Sequence, residues 1–165
     1  KSYLAQSISI QSKIIKTFGN SVANDHGKLD LKKLGEVAFK SSFEQQLLNG
    51  IVWPEMYILI DNKIQSLSSE SGFFFIDAAM IFESKLEPLL EEVLLIKASK
   101  KIRIERALKR RNLSEDQIVE RIKLQYSDKE KSRLADHAIT NNSTDEAFTK
   151  KLEDYYQSIK NKYKL

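Results

Sequence analysis

The feature that most constrains this 165-residue chain is a pair of short, unbroken apolar runs in its second half. Phe73–Ile76 (FFFI) and Val93–Ile96 (VLLI) do not alternate with polar residues. Such runs are typical of strands in a parallel sheet that is covered on both faces. Helical segments separate them, and a third short run, His137–Thr140, precedes another helix. This order of strands and helices predicts an α/β fold with a doubly wound parallel sheet.

The first 70 residues predict helices only. Apolar residues recur at helical spacing over Ile8–Phe18 and stop at Gly19, which suits a C-cap. Asp30 is predicted to cap the next helix. A short helix is predicted through Phe43–Leu48, and Pro54 is then placed in the first turn of a separate, longer helix.

Composition excludes several classes of protein. Cysteine is absent, which excludes disulfides and thiolate chemistry, and two histidines without cysteine argue against a structural zinc site. No apolar run approaches the roughly 20 residues of a membrane span, and the first residues lack the apolar core of a signal peptide. We therefore expect a cytoplasmic protein without a membrane segment. The net charge of +4 mildly favours anionic partners.

Asp77 stands directly after the first predicted strand. Ligands of open α/β sheets bind beyond the carboxyl ends of the strands, and an aspartate there can hold Mg²⁺ beside a nucleotide. Aspartate is also favoured at this place as a turn former, so a structural role is the alternative.

A basic helix is predicted after the second strand. From Lys97 to Arg111 the chain carries eight basic residues and one acid, a net of +7. Arg106 and Arg110 are four residues apart and share a helical face, so their guanidinium groups could bind a polyphosphate bidentately. The other basic residues, Arg103 and Lys109 among them, are predicted to be a solvated surface. A nucleic-acid surface is the third alternative, although no aromatic residue lies among these charges.

Two polar helices are predicted next, from the N-cap Ser114 to Gln125 and over Ser127–Ala135. Because they precede the final strand, they predict a mobile lid, with a plain helical hairpin on the surface as the alternative.

The chain resembles the dephospho-CoA kinase family in an ordered set of segments. These are DLKKLGEVAF, LLNGIVWPEM, DAAMIFES, VLLIKAS, IERALKRRNLSEDQIVERIKLQ, KEKSRLADHAI and TNNST. Their order and spacing agree with the family from about Gly19 to Thr144. The resemblance implies a P-loop kinase that uses ATP and Mg²⁺ to phosphorylate the ribose 3′-hydroxyl of dephospho-CoA, the last step of coenzyme A biosynthesis.

The resemblance also implies how the chain is divided. Residues 30–70 would form the helical, CoA-side substrate domain and residues 112–135 the lid. Residues 71–111 and 136–165 would form the α/β core, and residues 1–29 a helical part beside it.

On the nucleotide side, the family motifs imply roles for five residues. Arg106 would stabilise the charge of the phosphate in the transition state, and Arg110 would bind ATP. Asn141 and Asn142 would lie near the adenine, and Asp77 on the Mg²⁺-nucleotide side.

On the substrate side, the motifs imply that Trp53, Pro54 and Glu83 contact dephospho-CoA. Trp53 stands where the family usually carries histidine, which is a departure from its pattern.

One family element does not occur in the sequence, the phosphate-binding motif G-x-x-x-x-G-K-[ST]. The five glycines, at positions 19, 27, 35, 50 and 72, are scattered. Backbone amides of that loop hold the phosphates and its lysine reaches the β- and γ-phosphates. The family's catalytic aspartate also belongs to that unit, upstream of the position matching Lys1. We therefore expect the 165 residues to be part of a longer kinase and to be inactive without the loop.

Two other functions fit the same residues. One is another nucleoside or metabolite kinase of the P-loop class, and the other is a non-catalytic module that binds anions or nucleic acid. For the kinase we expect ATP and dephospho-CoA as partners rather than nucleic acid or a membrane. A monomer is expected, with an oligomer as the alternative.

Overall fold

The computed structural model describes residues 7–67, 69, 71–110 and 113–164. The chain divides into two compact units, Lys1–Lys63 and Ile64–Leu165, which we call unit 1 and unit 2. None of the helices in the described ranges is long and apolar enough to cross a membrane.

Unit 1 is helical, as its sequence predicts. Helix α1 spans Ile8–Phe18 and ends at Gly19, whose φ of 76° is a conformation that glycine adopts readily. Helix α2 spans Leu31–Ala38, and the carboxylate of Asp30 accepts hydrogen bonds from the amides of Lys32 and Lys33, which confirms the predicted cap. A short 3₁₀ turn, Asn20–Val22, follows α1.

The core of unit 1 lies where these elements pack together. Its buried side chains are Ile10, Ile14, Val22, Leu34 and Ala38. Apolar residues pack against each other here because α1 and α2 are each apolar on one side.

Helix α3 corrects the sequence prediction. Two helices were expected, with Pro54 opening the second, but α3 is one helix of 26 residues, Ser42–Leu67, with Pro54 in its interior. A proline there removes one hydrogen bond and costs about 3 kcal/mol. The helix continues because Leu48, Ile51 and Val52 pack against the core of unit 1 and offset that loss.

Unit 2 contains a two-stranded parallel sheet. Strand β1 spans Leu94–Lys97 and strand β2 spans His137–Thr140, with Leu94 opposite His137 and Lys97 opposite Thr140. β2 coincides with its predicted range and β1 begins one residue later than predicted. The prediction of an α/β fold with a parallel sheet is therefore confirmed.

Four helices accompany the sheet. Helix α4 (Lys100–Lys109), helix α5 (Glu115–Lys123) and helix α6 (Asp128–Leu134) lie between the strands in sequence. Helix α7 (Asp145–Tyr163) follows β2, where a helix was predicted, and is capped by Thr144.

The predicted strand Phe73–Ile76 is wrong for the described chain, in which this segment has no regular secondary structure. A strand requires a hydrogen-bonded neighbour, and β1 and β2 pair with each other. Phe73 packs instead against two rings of α7, with its ring centre 5.9 Å from that of Tyr156 and 6.2 Å from that of Tyr163. Ile96 in β1 is 43% exposed.

Candidate functional site

The carboxyl ends of β1 and β2 meet at one edge of the sheet, because the strands are parallel. The amide of Asn141 donates to the carbonyl of Lys97 over 2.7 Å, and the amide of Ser99 donates to Oδ1 of Asn142 over 2.9 Å. Ser99 in turn caps α4, since its hydroxyl accepts from the amide of Ile102. The turns that follow the two strands are thus joined by hydrogen bonds in both directions.

Arg106 extends this junction from α4. Its Nη1 donates to the main-chain oxygen of Asn141 over 3.0 Å, and its Nη2 donates to Oδ1 of the same residue over 3.2 Å. A guanidinium group carries five N–H donors, and these bonds use two of them. Arg106 is half-buried, so its remaining donors could bind an anion at the same edge of the sheet.

The other predicted nucleotide residues are placed differently. Arg110 follows α4 and is exposed, one turn beyond Arg106. Asn142 is exposed but holds the amide of Ser99. The structure therefore brings Arg106, Asn141 and Asn142 to one place, and leaves Arg110 on the solvent side of the same segment. Arg111, which belongs to the predicted basic helix, lies outside the described residues.

Arg103 corrects one sequence interpretation. It was assigned to the solvated surface, but its Nη2 lies 3.1 Å from Oδ2 of Asp128, the first residue of α6. The side chain of Arg103 is only 35% exposed. Lys109 is exposed, as expected for that surface.

Asp77 does not have the position that the sequence suggested. The segment before it is not a strand in the described chain, so Asp77 does not stand at the carboxyl end of one, although it is exposed and accessible. Among the described residues no three histidine, cysteine, aspartate or glutamate side chains come together as a metal site. A Mg²⁺ ion held mainly by nucleotide phosphates and water would need only one or two protein carboxylates.

Glu83 belongs to a buried polar cluster that the sequence did not reveal. Its Oε1 accepts from the amide of Tyr126 over 2.8 Å and lies 3.1 Å from Nζ of Lys131. Nζ of Lys131 also donates to the carbonyl of Ala79 over 2.8 Å. The side chains of Glu83 and Lys131 are 6% and 9% exposed, and Oε2 of Glu83 is buried without a hydrogen-bond partner in the described protein.

Trp53 and Pro54, the predicted substrate residues of unit 1, lie in the middle of α3. Trp53 is half-buried and Pro54 is exposed.

The predicted cap of the first polar helix is confirmed, since Ser114 caps α5 in a reciprocal capping box with Gln117. Ser127, which was expected as the first residue of the second helix, is instead the cap of α6 in a capping box with Glu130. The hydroxyl and amide of Ser127 hold the pKa of Glu130 below its ordinary value. α6 is also tied to the rest of unit 2 through Lys131, whose ammonium group donates to the carbonyl of Ala79.

A second polar cluster lies at the opposite, amino edge of the sheet. Oε1 of Glu92 is 2.8 Å from Nε2 of His137, and Oε2 accepts from Nζ of Lys162 and from the hydroxyl of Tyr163, both over 3.1 Å. The bond to Glu92 raises the pKa of Lys162. Burial, followed by the charge of Glu92, raises the pKa of Tyr155. This cluster attaches α7 to the start of both strands.

Comparisons with known proteins agree with the described fold. A family model described as dephospho-CoA kinase matches residues 2–146. A dephospho-CoA kinase from Fusobacterium nucleatum is 29% identical over 156 residues, which are 94% of this chain and 80% of that relative. One from Bacillus licheniformis is 32% identical over 145 residues, which are 87% of this chain and 72% of that relative.

Two solved structures are similar to this chain. A dephospho-CoA kinase from Campylobacter jejuni has a TM-score of 0.62 at 26% identity, and the match covers 96% of this chain and 79% of that one. TT1252 from Thermus thermophilus has a TM-score of 0.70 at 23% identity, and the match covers 91% of this chain and 76% of that one. At 23% identity the second likeness bears on the fold alone.

Proposed function

Because this chain belongs to the dephospho-CoA kinase family, we propose that it serves the transfer of a phosphoryl group from ATP to the ribose 3′-hydroxyl of dephospho-CoA. The observation that carries the proposal is the junction at the carboxyl edge of the sheet. There Arg106 on α4 binds both oxygens of Asn141, directly after β2. Ligands of open α/β sheets bind in the crevice at this edge.

The residues of that junction have separate tasks in the proposal. Arg106 keeps two donors on Asn141 and directs its remaining donors at phosphate oxygens, where charge builds up during transfer. Arg110, exposed one turn later, adds a second positive charge for ATP. Asn141 and Asn142 lie on the adenine side. When ATP is bound, its γ-phosphoryl group is the group transferred, and Mg²⁺ neutralises part of its charge.

Asp77 is the proposed carboxylate on the Mg²⁺ side. Its exposure supports this role, since a hydrated Mg²⁺ ion needs an accessible ligand. The ion would be held by nucleotide oxygens and water together with this one side chain.

The substrate side is proposed to lie in the helices of residues 30–70. Trp53 and Pro54 on α3 would contact dephospho-CoA, and the exposure of Pro54 supports this. Glu83 would act from unit 2, where its buried Oε2 is an acceptor without a partner in the described protein. We further propose that residues 112–135 act as the lid, with α6 as its anchored end because Lys131 is bound to Ala79 and Glu83. We also propose that the protein works as a cytoplasmic monomer.

The phosphate-binding loop and the catalytic aspartate are proposed to come from residues outside these 165, since the sequence contains no G-x-x-x-x-G-K-[ST] motif. The exposed apolar side chains Phe74, Phe75 and Ile96 support this, because a further strand–helix unit would bury apolar surface that the described residues leave exposed. Without that loop, the 165 residues are proposed not to transfer phosphate, since phosphoryl transfer depends almost wholly on positioning and charge stabilisation.

The test compares two proteins in one assay of ATP-dependent phosphorylation. The longer protein, with its phosphate loop, should convert dephospho-CoA to CoA, and the 165 residues should not. Adenosine and other nucleosides are offered as competing acceptors. Phosphorylation of a nucleoside in preference to dephospho-CoA would overturn the proposed substrate, and conversion by the 165 residues would overturn the need for the loop.

A further inference from the structure

Lys131 is a buried lysine on a helix whose other lysine is exposed. Lys131 as a whole is 7% exposed, whereas Lys129, two residues earlier on α6, faces solvent. The ammonium group of Lys131 lies between the carbonyl of Ala79, at 2.8 Å, and Oε1 of Glu83, at 3.1 Å. The charge is therefore enclosed by one backbone oxygen and one carboxylate of the same turn.

Stability does not explain this pair well. Removing two charges from water is costly, and a buried ion pair often adds nothing relative to apolar residues of similar size. What the pair does provide is geometry, because Lys131 also binds the carbonyl of Ala79 and Glu83 also binds the amide of Tyr126. The same carboxylate accepts the amide of Tyr126, so three hydrogen-bonded groups meet at Glu83 and Lys131.

The turn that is held in this way follows Asp77 directly. Ala79 is two residues after Asp77, and Glu83 closes the turn, with Ile81 and Phe82 buried between them. The amide of Ser84 donates to the carbonyl of Met80, which completes a helical turn. Asp77 therefore stands two residues before a turn whose two ends, Ala79 and Glu83, are both bound to Lys131.

We propose that Lys131 is a positioning residue for phosphoryl transfer, which acts through Ala79 and Glu83 to hold the carboxylate of Asp77 at the nucleotide side. This inference rests on the proposed function. Lys131 itself does not touch the reacting atoms, because its ammonium group is buried and already bound on two sides.

The experiment uses the longer kinase with its phosphate loop. Lys131→Met keeps the length of the side chain and removes the charge, Lys131→Arg restores the charge, and Lys129→Met is the matched control on the same helix. A displacement of about 1 Å at a reacting group can lower the rate about 100-fold, so Lys131→Met should lower kcat about 10- to 100-fold. The KM for ATP should change little, Lys131→Arg should recover part of kcat, and Lys129→Met should resemble the wild type.

A double-mutant cycle with Asp77→Asn separates positioning from general destabilisation. If Lys131 acts through Asp77, Lys131→Met should lower kcat further by much less in the Asp77→Asn background than in the wild type. The fraction of active enzyme is measured by titration, so that kcat is calculated for folded enzyme only. In the same proteins, amide hydrogen exchange over residues 77–86 should quicken with Lys131→Met and stay unchanged in α1.

The outcomes distinguish the two proposals. Suppose the wild type is active. If Lys131→Met is then equally active, or if the losses in the double-mutant cycle are fully additive, the proposed role of Lys131 is overturned and the proposed function is not. A wild type that does not phosphorylate dephospho-CoA overturns the proposed function and this inference together. If Lys131→Met does not fold, Lys131→Gln replaces it, since glutamine removes the charge but keeps an N–H donor for the carbonyl of Ala79. Wild-type turnover of that variant would equally overturn the inference.

Discussion

Both terminal nitrogens of Arg106 donate to the same residue, Asn141, one to its main-chain oxygen over 3.0 Å and the other to its side-chain oxygen over 3.2 Å. The planar guanidinium group can make both bonds at once, and a lysine ammonium cannot reproduce that geometry. These two hydrogen bonds connect α4 to the turn after β2. Arg106→Lys is therefore the substitution that best tests the nucleotide site.

Arg106→Lys in the proposed longer kinase should lower kcat about 10- to 100-fold, since a hydrogen bond from a charged group contributes roughly 1.5–3 kcal/mol. Arg103→Lys is unsuitable as a neutral control, because Arg103 pairs with Asp128. Lys109→Met, on the exposed side of α4, serves instead and should stay close to the wild type. Steady-state rates at saturating ATP and dephospho-CoA test this prediction. Equal activity of Arg106→Lys and Lys109→Met would show that Arg106 does not belong to the site.

Ile14→Ala should destabilise the protein by about 2–5 kcal/mol, because it leaves a cavity in the core of unit 1. Ile14 is completely buried, whereas Ile8 on the same helix is 83% exposed. Ile8→Ala is therefore the matched control and should change the stability little. Urea unfolding at a constant m-value measures both, and similar midpoints for the two variants would contradict the described core.

Asp30 gives unit 1 an acid-sensitive cap. Hydrogen bonds from the amides of Lys33 and Lys32 hold the pKa of Asp30 below its ordinary value of 3.8. The stabilisation is therefore fully present above that ordinary value and is lost as the pH falls through the lowered value of the folded protein. Asp30→Asn should reduce the loss of stability at acidic pH. The substitution of the exposed residue Asp25→Asn is the control and should leave that loss in place. Thermal unfolding followed by circular dichroism between about pH 5 and pH 2 tests this, and parallel curves for Asp30→Asn and the wild type would refute it.

Pro54→Ala should stabilise α3, by up to about 3 kcal/mol, because alanine restores a hydrogen-bond donor within the helix. The gain should appear as a higher Tm with no loss of helix signal in circular dichroism. If Pro54 also contacts dephospho-CoA, as proposed, the KM for dephospho-CoA should rise in the longer kinase while the KM for ATP does not. A lower Tm would show that proline fixes a bend which α3 requires.

Sequence reasoning succeeded where the determining chemistry is local. Asp30, Ser114 and Thr144 each cap the helix that was expected after them, because a cap depends on the next three residues only. The strand His137–Thr140 was likewise correct to the residue, since a polar turn follows it directly.

The failures concern interactions between distant parts of the chain. Phe73–Ile76 has the composition of a strand but lacks a hydrogen-bonded neighbour in the described chain. Arg103 looked solvated because its partner, Asp128, belongs to another helix. Lys131 gave no signal of its own, since its contact with Ala79 spans 52 residues and any polar helix contains similar lysines.

The parallel pairing of β1 with β2 also has a kinetic consequence. The contacts that join the two strand ends, from Val93 to Asp136 and from Ser99 to Asn142, each span 43 residues. No tight turn can nucleate such a pair, and the entropy of closing that loop must be lost before any strand hydrogen bond forms. Formation of this pair should therefore limit the folding rate of unit 2, with α4, α5 and α6 gaining helical structure earlier because their contacts are local. A ligand that binds across the turns after β1 and β2 requires the paired strands, which form late in folding. Such a ligand would therefore slow unfolding more than it speeds folding.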